Sequence, residues 1–478
     1  MTPTPDFDLV VRNAFVVTAA DEMRCDIGVR GGRIVALAET LGPGAREIDA
    51  AGRWVMPGGV DAHCHLDQPM LPPARMADDF LTGTRSAACG GTTTVIPFAA
   101  QAKGGSLKEA VADYHRRAEG KALIDYAFHL IVSDPTPTVL NEELPALIAQ
   151  GYTSFKVYMT YDDLKLNDGQ ILDVLDVARR HGAMAMIHAE NSECIEWLTR
   201  RLEDAGRTAP RYHARARPML VEREATHRAI SLSELADVPI LIVHVSGADA
   251  IEQIRWSRAR GLTVYAETCP QYLFLTADDL GIDDAYEGAK CICSPPPRDR
   301  ENQQVVWDGL IDGLFTVFSS DHAPFKFDAP EGKKPGGEEV SFAHIPNGIP
   351  GLETRLPLLF SAGVMDGRIS PQRFVELTST APARAYGLYP RKGTIAIGAD
   401  ADLVIWDRFA PDDERVIRNA DLHHAVDYTP YEGMRVKAWP ALTLSRGEVV
   451  WDGAQPRGDA GRGRFLECGA PSLAPRRR

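Results

Sequence analysis

The chain has 478 residues, of which 44% are hydrophobic and 25% are charged, as in an ordinary soluble globular protein. Its formal net charge of −14 at pH 7 argues against nucleic acid or an acidic membrane surface as a partner. No apolar run approaches the roughly 20 residues of a membrane span, and residues 1–8 lack the apolar core of a signal peptide. The eight cysteines include no CxxC pair, so we expect reduced thiols and a cytoplasmic protein.

Both ends of the chain are rich in short predicted strands separated by glycine turns. Near the start, β-branched apolar runs predict strands at Phe7–Val17, Ile27–Arg30, Arg33–Leu37 and Arg53–Val55. After residue 390 the same texture predicts strands at Lys392–Gly398, Ala401–Trp406, Ala441–Ser445 and Glu448–Trp451. The two β-rich ends could pair into one small domain, although periodicity alone does not establish the pairing.

Between these ends, apolar strands alternate with amphipathic helices, a pattern typical of a parallel sheet buried on both faces. After a strand at Val60, further strands are predicted at Thr93–Phe98, Tyr126–Val132, Ser154–Met159, Ala183–Ala189, Ile240–Val245, Thr263–Ala266 and Thr316–Ser319. Helices are predicted between them at Leu107–Ala118, Leu172–Arg180, Cys194–Ala205, Glu222–Ala236 and Ala250–Arg260. Eight strand units predict a (β/α)8 barrel of the TIM type, in which the chemistry lies at the carboxyl ends of the strands.

The predicted domain boundaries follow from these changes of pattern. We assign 1–56 to the first part of the small β domain, 57–389 to the barrel, 390–453 to the second part, and 454–478 to a C-terminal tail. The tail is rich in Arg, Gly and Pro, so we expect poor order unless a neighbouring subunit holds it. The stretch Phe325–Glu339 predicts a long mobile loop, which either covers the active site or is a plain surface excursion.

Side chains that can bind metal ions stand at the ends of five predicted barrel strands. His63 and His65 project to the same face of the first strand, because side chains alternate along a strand. The other candidates are Lys156, His188, His244 and Asp321. A single histidine at a strand end is more often a structural residue, but a buried lysine is costly unless its charge is compensated. Together they predict a metal centre in the mouth of the barrel.

The motifs around these residues resemble those of the cyclic amidohydrolases, in the D-hydantoinase and dihydropyrimidinase branch of the amidohydrolase superfamily. The resemblance covers almost the whole chain. Its motifs are Pro-Gly-Gly-Val-Asp-Ala-His-Cys-His at 57–65, Gly-Gly-Thr-Thr at 90–93, Ser-Phe-Lys-Val-Tyr-Met-Thr-Tyr at 154–161, His-Ala-Glu-Asn at 188–191, Glu-Thr-Cys-Pro-Gln-Tyr at 267–272, Cys-Ser-Pro-Pro-Pro-Arg at 293–298, Ser-Asp-His-Ala-Pro at 320–324 and Ile-Pro-Asn-Gly at 345–348.

The resemblance implies a (β/α)8 barrel, a small β-sandwich domain built from both chain ends, a homotetramer and a binuclear zinc centre. His63, His65 and Asp321 would hold the more buried zinc ion. His188 and His244 would hold the more exposed one. Lys156 would be carboxylated on its amine, because a free ammonium cannot ligate a cation, and the carbamate would bridge both ions.

The implied reaction is the opening of a dihydropyrimidine or 5-substituted hydantoin ring to an N-carbamoyl amino acid. A hydroxide that bridges the two zinc ions would attack the ring carbonyl, and Asp321 would pass its proton to the leaving nitrogen. Tyr161 would donate its hydroxyl to the developing oxyanion. Ser294 and Asn347 would bind the amide edge of the substrate, largely through main-chain groups.

The sequence also departs from related patterns at several positions. Dihydroorotases typically have an arginine two residues after the HxH pair, whereas Asp67 stands here, which disfavours a carboxylate-bearing substrate. Lys165 replaces an aromatic residue found in many D-hydantoinases, so we expect a preference for small or polar 5-substituents unless Lys165 points into solvent. His322 should face away from Asp321 and lie outside the metal-ligand set.

Two other functions remain open from the sequence. The first is an allantoinase-like or imidase activity on another cyclic ureide or imide. The second is a non-catalytic role, as in the neuronal scaffolding relatives that have lost metal ligands. The presence of all six candidate ligands argues against the scaffold.

Overall fold

The structure, a computed structural model, describes residues 6–473 of the chain. Its strands, in chain order, are β1 (Phe7–Val17), β2 (Glu22–Arg30), β3 (Arg33–Ala38), β4 (Gly44–Asp49), β5 (Trp54–Pro57), β6 (Gly59–Cys64), β7 (Thr92–Ala100), β8 (Asp125–Tyr126), β9 (His129–Ile131), β10 (Ser154–Tyr158), β11 (Met184–His188), β12 (Ile240–Ile242), β13 (Val264–Thr268), β14 (Val317–Phe318), β15 (Leu403–Arg408), β16 (Arg415–Val416), β17 (Arg435–Val436), β18 (Ala438–Ser445) and β19 (Glu448–Trp451).

The helices lie mostly between the barrel strands. The α-helices are α1 (Phe80–Cys89), α2 (Leu107–Ala118), α3 (Leu144–Ala149), α4 (Asp168–His181), α5 (Ser192–Asp204), α6 (Tyr212–Ala216), α7 (Met219–Ala236), α8 (Ala248–Ala259), α9 (Gln271–Phe274), α10 (Arg300–Ile311), α11 (Arg355–Leu359), α12 (Pro371–Val375) and α13 (Ala381–Ala385). Shorter π-helical or 3-10 segments occupy Val139–Glu143, Ala277–Leu280, Tyr286–Cys291, Pro335–Gly337, Phe342–His344, Phe360–Met365, Glu376–Thr380 and Asn419–Asp421. Over residues 6–473, no helix combines the length and the apolar character that crossing a membrane requires.

Helix ends follow ordinary capping chemistry. Asn167 caps α4, where its side chain accepts from the backbone N–H of Gln170, and the Gln170 side chain bonds back to the cap. Such a capping box stabilises a helix start by about 1 kcal/mol. Gly182 ends the same helix in the left-handed conformation, with φ of 69°, which glycine adopts without strain.

Eight parallel strands form the barrel, in the order β6-β7-β9-β10-β11-β12-β13-β14, with β8 paired to β7 beside them. A parallel bridge between Cys64 and His322 joins the two ends of this order and closes the ring. On β7, Ile96 and Phe98 pack inside the barrel cluster, whereas Val95 packs in the cluster shared with the helices. This two-sided burial confirms the predicted (β/α)8 barrel.

The two chain ends pair into one small β-sandwich domain, as predicted. Its main sheet has the order β19-β18-β15-β5-β1-β2-β3, with β4 paired to β1. The two ends meet where β5 pairs antiparallel with β15, through Val55 and Ile405. The pattern missed β4, because that strand is polar and half-exposed. The predicted strand at Lys392–Gly398 is wrong: Gly393 and Gly398 have φ values of 80° and 94°, and the segment turns.

Two segments expected to be loose are instead packed. In the loop after β14, Phe325 and Lys333 are buried. The tail is also bound by its own chain, because Leu466 is buried and donates its N–H to the Tyr126 carbonyl at 2.7 Å. The expectation of a poorly ordered tail is therefore wrong for 454–473, and residues 474–478 lie outside the described part.

A buried ion cluster connects the barrel to the small domain. Lys392 is 1% exposed, and its Nζ lies 2.7 Å from Asp125 of β8, 2.7 Å from Asp402 and 3.1 Å from Asp400. Burial acts to lower the pKa of Lys392, but the three carboxylates outweigh it and raise that pKa. The cation thus compensates several buried anions at once.

We expect Lys392→Met to lower the free energy of unfolding by about 3–5 kcal/mol, because it removes the cation that contacts three buried carboxylates at once. The adjacent Arg391→Met is the control: Arg391 pairs with Asp400 at 2.9 Å but is 40% exposed, so its loss should cost below about 1 kcal/mol. Urea denaturation of both variants measures the difference. Equal effects of the two substitutions would contradict the assignment of Lys392 as the central cation.

Candidate metal centre and substrate pocket

A cavity of about 170 Å³ opens at the carboxyl ends of the barrel strands. Its lining includes five of the six predicted metal ligands, together with the predicted substrate-binding residues Tyr161, Ser294 and Asn347. The sixth ligand, His63, is fully buried directly beneath it. The structure therefore brings every sequence-predicted site residue into one place.

The candidate ligands contact one another through their nitrogen and oxygen atoms. The Nζ of Lys156, on β10, lies 2.8 Å from Nε2 of His63, at the end of β6. Asp321 Oδ1 lies 3.2 Å from that same His63 atom and 3.6 Å from Nε2 of His65. Opposite them, Nε2 of His244 lies 2.9 Å from Nδ1 of His188.

Three of the four histidines are held with a nitrogen lone pair directed at this centre. A ring N–H of a neutral imidazole donates outward, so the other nitrogen must present its lone pair inward. His63 Nδ1 donates to Glu267 at 2.7 Å, His65 Nδ1 to Gln68 at 2.7 Å, and His188 Nε2 to Glu190 at 2.8 Å.

These inward lone pairs and the Asp321 carboxylate repel one another unless a cation lies between them. Nitrogen and oxygen ligands with fixed outer hydrogen bonds are the donor set that divalent transition metals prefer. His63, His65 and Asp321 form a buried group whose ligand atoms all lie within 4.8 Å of one another. The residues present therefore fit a metal centre.

Burial also sets the protonation of the centre. It lowers the pKa of His63 and His244 well below the usual value, and lowers that of His188, so these rings are neutral. Burial likewise lowers the pKa of Lys156 to about 8, which makes the neutral amine accessible near physiological pH. For Asp321, burial acts to raise the pKa, but the neighbouring His63, His65 and Lys156 side chains outweigh it and lower that pKa.

Three residues of the site have strained backbones. The φ values of Tyr161, His244 and Asp321 are 69°, 39° and 48°, a region that side chains other than glycine rarely adopt. Each such position costs on the order of 1–3 kcal/mol and persists only where the surrounding structure enforces it. Strain at three residues of one cavity is typical of a functional site.

The predicted substrate-binding residues form one wall of the cavity. Asn347 Nδ2 donates to the Tyr161 hydroxyl at 3.4 Å, and burial raises the pKa of Tyr161 to about 12, so its proton stays in place. Within residues 6–473, the Ser294 Oγ and Asn347 Oδ1 atoms are buried with no hydrogen-bond partner. Unpaired buried oxygens that face a cavity favour a ligand with N–H donors.

Comparison with known proteins agrees with this geometry. The model of the family described as "Amidohydrolase family" matches residues 54–450. A D-hydantoinase from Ralstonia pickettii is 44% identical over 96% of this chain and 98% of its own length. Among solved structures, dihydropyrimidinase from Brevibacillus agri superposes with a TM-score of 0.93 at 43% identity, covering 97% and 99% of the two chains. The structure of L-hydantoinase (dihydropyrimidinase) from Arthrobacter aurescens superposes with a TM-score of 0.85 at 30% sequence identity, and the match covers 96% of this chain and 100% of that one.

The chain belongs to the amidohydrolase family. Within that family it belongs to the hydantoinase and dihydropyrimidinase branch, and it is an enzyme that acts on cyclic amides. The resemblance found in the sequence motifs is confirmed.

Sequence patterns did not identify the residues that orient the ligands of this amidohydrolase. Three acceptors fix the outer imidazole N–H groups, namely Glu267, Gln68 and Glu190. Arg217 pairs with Glu190 at 2.9 Å. The guanidinium of Arg217 also lies 5.5 Å from the centre of the Tyr161 ring. Two signals were available. Glu190 lies two residues beyond His188, on the same side of the chain, and Glu267 stands near the end of β13.

The structure changes the interpretation of two loop residues. Asp67 does not face the cavity, because its carboxylate lies 3.1 Å from Arg117 and 3.9 Å from Lys121 on the outer side. Lys165 does not face the cavity, which is the alternative that the sequence left open, so the expected preference for small or polar 5-substituents does not follow from it. Its Nζ contacts Asp162 at 2.7 Å and the Ser192 hydroxyl at 3.0 Å, outside the cavity.

The cavity wall contains aliphatic side chains beside the rings of Tyr158 and Tyr161. Leu164, the residue before Lys165, lines it together with Met70, Met76 and Ala323. His322, by contrast, faces away as expected, and its Nε2 lies 3.1 Å from Asp78.

A second group of potential ligands, Cys89, Glu353 and His423, lies outside the cavity. The Glu353 carboxylate already accepts from the His423 backbone N–H at 2.8 Å, from His423 Nδ1 at 3.0 Å and from the Ser86 hydroxyl at 3.3 Å. These bonds give the group a structural role that connects three segments.

We expect Gln68→Ala to weaken metal affinity by about 10–100-fold, the usual effect of removing a group that orients a ligand. Without Gln68, the His65 ring loses the acceptor that fixes its tautomer. Chelator competition with zinc as the probe metal measures the dissociation constant, and the neighbouring Asp67→Ala, which faces away from the cavity, should leave it unchanged. If Asp67→Ala weakened binding of the probe metal as much as Gln68→Ala, the orienting role of Gln68 would be refuted.

Proposed function

We propose that this amidohydrolase opens the ring of a dihydropyrimidine or a 5-substituted hydantoin to give an N-carbamoyl amino acid, with a binuclear zinc centre bridged by carboxylated Lys156. The observation that supports this most strongly is the inward lone pairs of His63, His65 and His188, each fixed by an outer acceptor. The names of the relatives support the substrate class.

Six residues would hold the two zinc ions: His63, His65, Lys156, His188, His244 and Asp321. When bound, the zinc ions would supply an activated water and polarise the ring carbonyl. The Lys156 amine would attack carbon dioxide, forming an N–C bond and releasing one proton, which converts a buried base into an anionic ligand. The Lys156 side chain is buried, and its carboxylation would remove a buried cation from among the candidate ligands.

Asp321 would act as the general base and then as the general acid. Its Oδ1 lies within 3.6 Å of both His63 and His65, so it reaches the centre of the ligand set. It would take a proton from the attacking water and pass it to the ring nitrogen as the C–N bond breaks.

Tyr161 would donate its hydroxyl to the oxyanion that develops on the carbonyl. Its raised pKa keeps that proton available over the working pH range. Ser294 and Asn347 would bind the amide edge of the substrate, and their unpaired buried oxygens would accept from its N–H groups. The aliphatic wall at Leu164 would contact the 5-substituent of a hydantoin.

We further propose a cytoplasmic homotetramer. Free thiols at all eight cysteines favour a reducing compartment. The exposed apolar side chains of Trp197, Leu220 and Leu235 favour contacts between subunits, since such residues are enriched at interfaces.

The proposed function predicts turnover of dihydrouracil or hydantoin by the zinc-loaded enzyme, in a screen that also contains allantoin, dihydroorotate and phthalimide. Asp321→Asn should lower kcat by at least about 10²-fold, because the amide cannot accept a proton. Absorbance loss of each ring measures turnover. Exclusive activity on allantoin or phthalimide would reassign the enzyme to another cyclic ureide or imide, and inactivity on every ring would refute the proposal.

Lys156→Ala should lose both zinc and activity, because the bridging ligand is removed. Short carboxylic acids added to this variant should restore part of the turnover by supplying the missing carboxylate. Elemental analysis measures the zinc content, with Lys165→Ala as the matched control for a lysine outside the cavity. About two zinc ions per chain, tightly held in Lys156→Ala, would exclude Lys156 as a ligand.

A further inference from the structure

The segment 292–295, which contains Ser294, is held by buried donors from three separate elements. The carbonyl of Ile292 accepts from Lys333 Nζ at 2.9 Å. The carbonyl of Cys293 bonds with His213 Nε2 of α6 at 2.9 Å. The carbonyl of Pro295 accepts from the Tyr272 hydroxyl of α9 at 2.9 Å. Donors on these neighbours fix the backbone on both sides of Ser294.

Lys333 differs from the other two donors because it also reaches the second segment of the wall. Its Nζ donates to the carbonyl of Pro346 at 2.7 Å, immediately before Asn347. The Gly348 N–H also donates to the Ile292 carbonyl at 3.0 Å, so a backbone hydrogen bond connects the same two segments. One side chain therefore cross-links the two segments that contain Ser294 and Asn347.

Lys333 lies in an environment that is unfavourable for a charged side chain, so a role in connecting the two segments is needed to explain its position. The residue is fully buried, and no carboxylate within residues 6–473 lies in salt-bridge distance of its Nζ. The centre of the uncharged Phe325 ring lies 5.8 Å from the same Nζ. Burial lowers the pKa of Lys333 to about 7, which reflects the cost of placing its ammonium there.

The backbone around Lys333 is fixed as well. The Tyr286 hydroxyl donates to the Lys333 carbonyl at 2.7 Å, and the Lys333 N–H donates to the Lys326 carbonyl at 2.8 Å. Two residues earlier, the carbonyl of Glu331 accepts from the Arg75 N–H at 2.9 Å. The loop after β14 thus holds Lys333 rigidly while the side chain reaches the wall.

We propose that Lys333 is a positioning residue for substrate recognition, which sets the distance between the Ser294 and Asn347 segments so that both meet the amide edge of one substrate. This inference rests on the proposed function of those two segments. Lys333 does not touch the reacting atoms, so its loss should weaken substrate binding more than the chemical step. Removing uniform binding raises KM and leaves kcat nearly unchanged.

The test compares Lys333→Met with the adjacent Lys334→Met in the zinc-loaded enzyme. Methionine keeps the apolar stem and removes both N–H donors. Lys334 lies in the same loop but pairs with Asp328 at 3.0 Å, away from the wall. For whichever cyclic amide the enzyme turns over, we expect Lys333→Met to raise KM by about tenfold or more, since hydrogen bonds from a charged donor are lost. kcat and zinc content should stay near those of the original enzyme, and Lys334→Met should change none of them.

A loop anchor without a role in recognition would give a different result. It would lower the thermal unfolding midpoint and leave KM unchanged in the folded fraction. That outcome, or an equal rise of KM in Lys334→Met, would overturn the inference. Absence of turnover in the unsubstituted enzyme would instead refute the proposed function, so the two failures are distinguishable.

Chemical rescue provides a second measurement if Lys333→Met folds poorly. Lys333→Ala removes the atoms of propylamine, so added propylamine should lower its KM again, because its ammonium can bond to both carbonyls. Propan-1-ol, with a single O–H donor, should restore much less. Equal rescue by the two compounds would show that only the volume of the side chain matters and would overturn the inference.

Discussion

The structure of the site depends on a set of imidazoles packed around one small volume at the ends of the barrel strands. Burial keeps His63, His188 and His244 neutral. The rings of His63, His65 and His188 each direct a lone pair at that volume. Acceptors outside the rings hold three of the N–H groups: Glu267 on β13, Glu190 just after β11 and Gln68 in the loop after β6. The tautomers are therefore fixed by residues at the strand ends of the barrel and in the loops that follow them. Metal binding relieves the repulsion that this geometry creates.

The two halves of the cavity are built differently. The candidate metal ligands stand at strand ends, where the parallel sheet holds them in place. The wall that contains Ser294 and Asn347 consists of loop segments, and loops keep a fixed geometry only when their backbone groups are bonded. Here side-chain donors such as His213 and Tyr272 perform that task. The strand-end residues are therefore positioned by the backbone pairing of the sheet, whereas the loop wall is held by side-chain hydrogen bonds.

The sequence was sufficient to predict the barrel and the candidate ligands, because both follow from strand periodicity and from motif identity. His63 and His65 share a face for the simple reason that side chains alternate. What the sequence could not provide was the direction of loop side chains. Lys165 and Leu164 are adjacent, yet only Leu164 lines the cavity. The segment Lys392–Gly398 has residue types that are common in strands, yet it forms a turn. Its lysine lies in the buried ion cluster with Asp125, a contact that no local pattern could predict.

The pairing of β5 with β15 has a consequence for how the protein is made. Val55 and Ile405 are partners in one sheet, although the entire barrel separates them along the chain. The small domain therefore cannot form on the ribosome until almost the whole polypeptide has emerged. Such long-range pairing slows folding, because the entropy of closing a large loop is lost before the stabilising contacts form. The first five strands can pair with one another, but the edge of β5 that faces β15 stays open until the end of synthesis, and an open strand edge can pair with another chain.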